Sequence, residues 1–294
     1  MAVNENHIFS PGYRISVNGV QIYYEYFDHE DPDAKVVVLV HGFLSSTVSF
    51  RKLLPYLTKT YKVVSLDLPG FGQSEKSTSF IYKLSNYGQL IIDFLDKLNI
   101  QNAILIGHSM GGQISMHAAK KSPKRIEKLI LLGCCSYVKR ASRSLIACSY
   151  LPLFTWGMRN WIQRKDVKEN LLSVLHDSKL VTEEMIESYK KPISEVAFTH
   201  SLIRLLRQRE GDMCSQDLNQ IKQPVLMLWG KEDKVMPVKT GYRLKHDLPS
   251  AELIVYEKCG HLLMEEKPQE ICNEIQRFIE LGINQGSAFQ QETS

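Results

Sequence analysis

The sequence has no apolar run approaching the ~18 residues that a membrane-spanning helix needs, so no membrane span is expected. It also lacks a lysine- and arginine-rich stripe with interleaved aromatics, and no nucleic-acid partner is expected. Six cysteines, at positions 134, 135, 148, 214, 259 and 272, form no C-x-x-C pair and have no histidines at ligand spacing. That pattern points to neither a zinc nor an iron–sulfur site, and neither a metal nor a cofactor is expected. The opening stretch "MAVNENHIFSPGYRI" lacks a charged segment followed by an apolar one. Thiols in a chain without an export signal fit a reducing, cytoplasmic setting.

What is present is the composition of an ordinary globular protein: 294 residues, 44% hydrophobic, 23% charged, with a formal net charge of +4. The surplus of positive charge sits in residues 134–215, where 13 Lys and Arg face 9 Asp and Glu. That excess reads as a solvated helical face before it reads as an anion site. A small-molecule substrate is the expected partner, with a monomer or weak homodimer as the assembly.

The segment "VQIYYEYFD" (20–28) is rich in β-branched and aromatic residues and predicts an antiparallel strand. Continuous aliphatic runs at 35–40, 62–68, 103–107, 128–133 and 224–230 predict strands covered on both faces, and 251–257 predicts a last strand. Helical periodicity appears at 47–58, 85–98, 112–121, 238–247 and 268–282. Strands and helices that alternate in this way build a parallel sheet with right-handed crossovers, so the fold class is α/β. The alternation breaks between about 137 and 213, where amphipathic stretches such as 160–175 and 195–210 follow one another. The expected organisation is a core of residues 1–136 and 214–282, a helical cap of residues 137–213 acting as a lid, and a polar tail of residues 283–294.

The stretch "AILIGHSMGGQISMHAA" (103–119) places Ser109 where an aliphatic strand gives way to a helix. A G-x-S-x-G match alone arises by chance on the order of once in ten chains of this glycine content, so it needs a base and a group to orient that base. The structural alternative is a tight turn with a capping serine. His261, on the loop "KCGHLLMEEKP" after the last strand, is the best-placed base. The loop "WGKEDKVMP" after the preceding strand offers Glu232 and Asp233; Asp233 is preferred because Pro237 starts the next helix and leaves Asp233 mid-loop. An oxyanion would need backbone N–H donors, assigned to Met110 and Phe43, with Gly42 letting the loop "HGFLSS" pass close to substrate. His41 reads as a residue that fixes this loop, and "GFG" at 70–72 as a turn and not a dinucleotide site. Trp156 is a candidate pocket residue or a packing residue, and Val235 and Leu262 are candidate substrate contacts by their place beside Asp233 and His261.

"HGF" (41–43), "DLPGFGQSE" (67–75), "GHSMGG" (107–112), "GKED" (230–233) and "GH" (260–261) together resemble the α/β-hydrolase superfamily over residues 14–281. Within it the chain looks most like small bacterial capped serine esterases and carbon–carbon-bond hydrolases. The resemblance implies a mostly parallel eight-stranded sheet, a cap after the sixth strand, and a Ser109, Asp233, His261 triad. Serine at the elbow, where haloalkane dehalogenases and epoxide hydrolases of this fold carry aspartate, disfavours those chemistries. The function expected first is cofactor-free hydrolysis of a small carboxylic ester. Cleavage of a carbon–carbon bond in a vinylogous diketone comes second, and a small-ligand receptor on a hydrolase fold third.

Overall fold

A computed structural model describes residues 11–164, 166–191 and 195–281. The polar tail at 283–294 lies outside the described residues. Eight strands form one sheet: β1 (Gly12–Val17), β2 (Val20–Phe27), β3 (Val36–Val40), β4 (Lys62–Leu66), β5 (Ala103–His108), β6 (Ile126–Leu132), β7 (Val225–Gly230) and β8 (Ala251–Tyr256), in the order β1-β2-β4-β3-β5-β6-β7-β8. The pairs β1–β2 and β2–β4 are antiparallel and all others parallel. β1, for which the sequence shows no separate aliphatic run, is an edge strand with mostly exposed residues.

The central strands read as unbroken aliphatic runs because helices cover both faces. Val38, Val40, Leu105, Leu129, Leu131 and Met227 pack into one apolar layer. Their sequence neighbours Val37, Leu39, Ile104, Ile106, Ile130 and Leu228 pack into the other. Alternate residues therefore point to opposite layers, as the period of two requires.

The helices in chain order are α1 (Leu54–Leu57), α2 (Leu84–Lys97), α3 (Met110–Lys121), α4 (Arg143–Cys148), α5 (Pro152–Arg164), α6 (Val167–Val174), α7 (Glu183–Lys190), α8 (Val196–Gln208), α9 (Ser215–Leu218), α10 (Val238–Asp247), α11 (Leu263–Glu266) and α12 (Pro268–Leu281). Two expected helices are broken. The stretch 47–58 is a 3-10 turn at Thr47–Phe50 followed by the short α1. Pro55, with no N–H and a ring that clashes with the preceding turn, prevents one continuous helix. The stretch 160–175 divides between α5 and α6, where the Asp166 carboxylate accepts from Lys168 N at 2.8 Å and caps a new helix.

Helices α4 to α8 form an insertion between β6 and β7 that returns to the core at α8. Phe198 of α8 packs edge-on against Phe71, with ring centres 6.0 Å apart. Beyond α8, the Glu210 carboxylate accepts from Leu84 N and Ser85 N at 2.9 and 2.8 Å, which satisfies the first turn of α2.

A Cβ on Gly111 would overlap the carbonyl oxygen of Val40, whereas nothing stands within 4 Å of a Cβ on Gly157 in α5. Gly111→Ala is therefore expected to lower the unfolding free energy by about 3 kcal/mol. Gly157→Ala should raise it by about 0.5–1 kcal/mol by removing backbone freedom from the unfolded chain. Urea unfolding of the two variants checks both signs.

Candidate functional site

The parallel strands end along one edge of the sheet, where ligands of open α/β sheets bind. At that edge β5 stops at His108 and α3 starts at Met110, so the chain turns from strand to helix through Ser109 alone. Ser109 has φ 51° and ψ −117°, a conformation that costs a residue with a side chain of order 1–3 kcal/mol. Its backbone is held on both sides: Ser109 N donates to Leu132 O, and Cys135 N to Ser109 O, each at 3.0 Å. A Cβ on Gly107 would lie 2.5 Å from Gly111 O, and one on Gly112 2.5 Å from Cys134 Sγ, so the turn has no room for side chains beside it. Its own hydroxyl makes no capping bond to α3, which separates it from an ordinary helix-cap serine.

The loop after β3 comes up against this turn. A Cβ on Gly42 would lie 3.1 Å from Ser109 Cβ and 3.0 Å from His108 Nδ1. Among the described residues no acceptor takes the Phe43 N–H. The first-turn N–H of Met110 has no acceptor within its own helix. His41 is fully buried, with Nδ1 2.7 Å from Gly42 O and Nε2 accepting from Leu68 N at 3.0 Å. Burial lowers its pKa to about 4, so the ring is neutral near pH 7 and locks the loop as a donor at one nitrogen and an acceptor at the other.

Asp233 and His261 meet from the loops after β7 and β8, with Nδ1 of the ring 2.7 Å from Asp233 Oδ2. The other oxygen, Oδ1, accepts from Val235 N at 2.9 Å and Met236 N at 2.8 Å, so the carboxylate cannot swing away without losing three contacts. Glu232 points elsewhere and accepts from Cys259 N at 2.9 Å, clamping the histidine loop. Among the described residues no hydrogen bond joins Ser109 Oγ to the ring. The two are linked through His108, whose ring centre lies 4.8 Å from that of His261 and whose Nε2 is 3.0 Å from His261 O.

His108 stands next to Ser109 in "GHS", but no spacing in the sequence signals a role for it. Burial and the nearby His261 hold its pKa well below the usual range, so it is a neutral donor to the backbone of His261. Glu266 is a second residue that the sequence does not signal. Its carboxylate accepts from Gly260 N at 2.6 Å and from His176 N and Asp177 N at 2.8 and 3.1 Å. With the bond from His261 N to Val174 O at 2.7 Å, it ties the loop of His261 to the end of α6 in the insertion.

The remaining candidates separate. Val235 is half-exposed beside Asp233, and Leu262 is buried with Leu263 and Met264. Trp156 is 67% exposed on α5, and no described contact joins it to Ser109 or His261. Gly70 and Gly72 of "DLPGFG" have φ 89° and 48° and make a turn, with Gly72 tucked against the Asp67 carboxylate. Among the described residues no group of three His, Cys, Asp or Glu side chains could hold a metal ion, and no helix is long and apolar enough to cross a membrane.

This edge thus offers a hydroxyl on a strained turn, an imidazole held by a carboxylate, and two backbone N–H groups beside the hydroxyl. Such an elbow on a mostly parallel eight-stranded sheet defines the α/β hydrolases. The chain belongs to the alpha/beta hydrolase fold family, whose model matches residues 35–268. It is 42% identical over 270 residues to a protein named "Uncharacterized hydrolase YugF" of Bacillus subtilis (strain 168), covering 92% of this chain and 98% of that one. It is 25% identical over 260 residues to a 2-hydroxy-6-oxo-2,4-heptadienoate hydrolase of Pseudomonas putida, covering 85% and 91%. The crystal structure of a membrane phospholipase A, a bacterial virulence factor, matches with a TM-score of 0.76 and 25% identity over 92% of this chain and 86% of that one. The protein is a hydrolase of the alpha/beta fold.

Asp67, which accepts from Thr47 N at 2.7 Å and Gln73 N at 2.6 Å, anchors the loops beside the site. Burial raises its pKa to about 7, although the two amide donors work in the opposite direction. A carboxyl raised from its unfolded value of 3.8 keeps its proton in the folded state, so its contribution to stability is lost as pH rises from about 4 to about 7. Asp67→Asn abolishes that dependence, and at low pH it costs about 1–3 kcal/mol because one amide donor loses its acceptor. The variant should therefore gain on wild type as pH rises through this window, as read from urea midpoints.

Proposed function

We propose that the protein is a cofactor-free serine hydrolase of small carboxylic esters, working through an acyl-enzyme on Ser109. The observation that carries this reading is the His261–Asp233 pair at 2.7 Å, set at the same sheet edge as a serine held at φ 51°. His261 takes the proton of Ser109 as the hydroxyl oxygen bonds to the substrate carbonyl carbon. The resulting oxyanion accepts from the N–H groups of Phe43 and Met110. His261 then gives its proton to the leaving alkoxide. Water deprotonated by His261 attacks the acyl-enzyme and releases the carboxylic acid and Ser109. Asp233 keeps Nδ1 protonated so that the other ring nitrogen faces the serine. Hydrogen bonds of this kind are commonly long in a free enzyme and tighten around substrate.

In this reading residues 137–213 are the cap over the site, Gly42, Val235 and Leu262 lie along the substrate path, and the six free thiols fit a reducing compartment. The kinship with a phospholipase A of the same fold agrees with an ester substrate.

A second reading keeps the same three side chains and cleaves a carbon–carbon bond in a vinylogous diketone. It is favoured by the name of the Pseudomonas putida relative, a 2-hydroxy-6-oxo-2,4-heptadienoate hydrolase.

Turnover of p-nitrophenyl esters of graded chain length tests the first reading. Ser109→Ala is expected to lower it by about 10⁶-fold and Asp233→Asn by about 10⁴-fold. Glu232→Gln, which touches only the histidine loop, should cost far less. Equal hydrolysis by wild type and Ser109→Ala would sink the assignment. A ring-fission dienone turned over much faster than every ester would move the second reading to first.

A further inference from the structure

We propose that the outer face of α4 and α5 docks on an anionic lipid surface. α5 is apolar on two sides. Phe154, Met158 and Ile162, spaced by four residues, turn inward; Ile162 is buried and the other two are partly so. The opposite side carries Leu153, Trp156 and Gly157, at offsets of zero, three and four, with Trp161, 54% exposed, at the margin between the two sides. Leu153 is 77% and Trp156 67% exposed. Leu145 of α4 and Tyr150 and Leu151 of the link to α5 extend the exposed surface.

A helix on the surface of a globular protein normally turns charged and polar groups to solvent, and a contiguous apolar face marks a partner. The charges around it indicate which partner. Residues 137–164 contain five basic side chains, Lys139, Arg140, Arg143, Arg159 and Arg164, and not one Asp or Glu. This short stretch carries more positive charge than the net +4 of the whole chain. All five are exposed. Leucine and tryptophan beside exposed Arg and Lys, in a stretch without Asp or Glu, form the complement of a bilayer surface rich in anionic headgroups. The Arg207 guanidinium lies 3.9 Å from the centre of the Tyr150 ring and holds its orientation from beneath.

The face is one helix layer away from the candidate site: α5 packs on α8, whose Phe198 stacks edge-on with Phe71, itself paired with Phe43. Docking there would set the insertion, and not the back of the sheet, against the membrane. The docking does not depend on which bond the enzyme cleaves.

Vesicle flotation of the full chain, with pure phosphatidylcholine against phosphatidylcholine mixed with phosphatidylglycerol, tests the proposal. Binding is expected to the mixed vesicles, to weaken with salt, and to shift Trp emission to the blue. Of the three tryptophans Trp229 is already buried, so the shift would report Trp156 and Trp161. Leu151→Ser/Leu153→Ser and, separately, Arg143→Glu/Arg159→Glu should each weaken partitioning about tenfold or more. Both pairs are exposed, and unchanged thermal midpoints confirm that they fold. The proposal is overturned by no partitioning at low salt. It is equally overturned by salt-sensitive adsorption that ignores the leucine changes and leaves the emission unmoved. A dimer that forms without lipid and dissociates in Leu151→Ser/Leu153→Ser would assign the face to a second copy of the chain instead.

Discussion

The arrangement at the sheet edge depends on one constraint: where β5 passes into α3, the positions flanking Ser109 on either side of the turn have no space for a β-carbon. Gly107 faces Gly111 O, Gly111 faces Val40 O, and Gly112 faces the sulfur of Cys134. Because these backbones touch, the chain reverses through a single residue and leaves Ser109 with a positive φ. The strain is of order 1–3 kcal/mol and is balanced by the two backbone bonds that extend the β6 ladder around the serine. β3 and β6 flank β5 in the sheet, so the same close approach sets the Phe43 loop on one side of Ser109 and the Gly133–Cys135 segment on the other.

Burial also determines which polar groups near the turn carry charge. His41 and His108 are held neutral by desolvation and serve as hydrogen-bonding struts, one for the loop after β3 and the other for the backbone of His261. Asp67, buried like them, braces Thr47 and Gln73. The carboxylate of Asp233 is instead divided between two backbone N–H groups and the His261 ring, which fixes both its position and that of the imidazole. Three histidines gathered at one edge therefore differ in role through their surroundings and not through their chemistry.

The insertion between β6 and β7 has two different faces. Inward, it binds the core through Phe198, Glu210 and the Glu266 clamp on the end of α6. Outward, α5 presents Leu153 and Trp156 beside exposed arginines. A helix with apolar residues on both sides cannot be explained by the core alone, and its sequence shows only a modest preference for either side. That explains why Trp156 reads equally well as a pocket or a packing residue until its exposure is known.

The aliphatic runs and glycine spacing by themselves determined the α/β class, the positions of all the parallel strands, and the strand-to-helix context of Ser109, because each is a local pattern of period two, period 3.6 or steric exclusion. Local signals also exist for the breaks at Pro55 and Asp166, a missing N–H and a helix-capping carboxylate, but a longer periodic pattern outweighs them in the sequence. The place of Pro237 favoured Asp233 over Glu232, but only the tertiary structure decided where each carboxylate goes, Asp233 to the His261 ring and Glu232 to Cys259 N, since the direction in which a folded loop turns two adjacent side chains is not a local pattern. It likewise decided the parts of His108 and Glu266, which act on residues 153 and up to 90 positions away. Contacts across such distances leave no trace in spacing, because they exist only once eight strands have brought their ends to one edge.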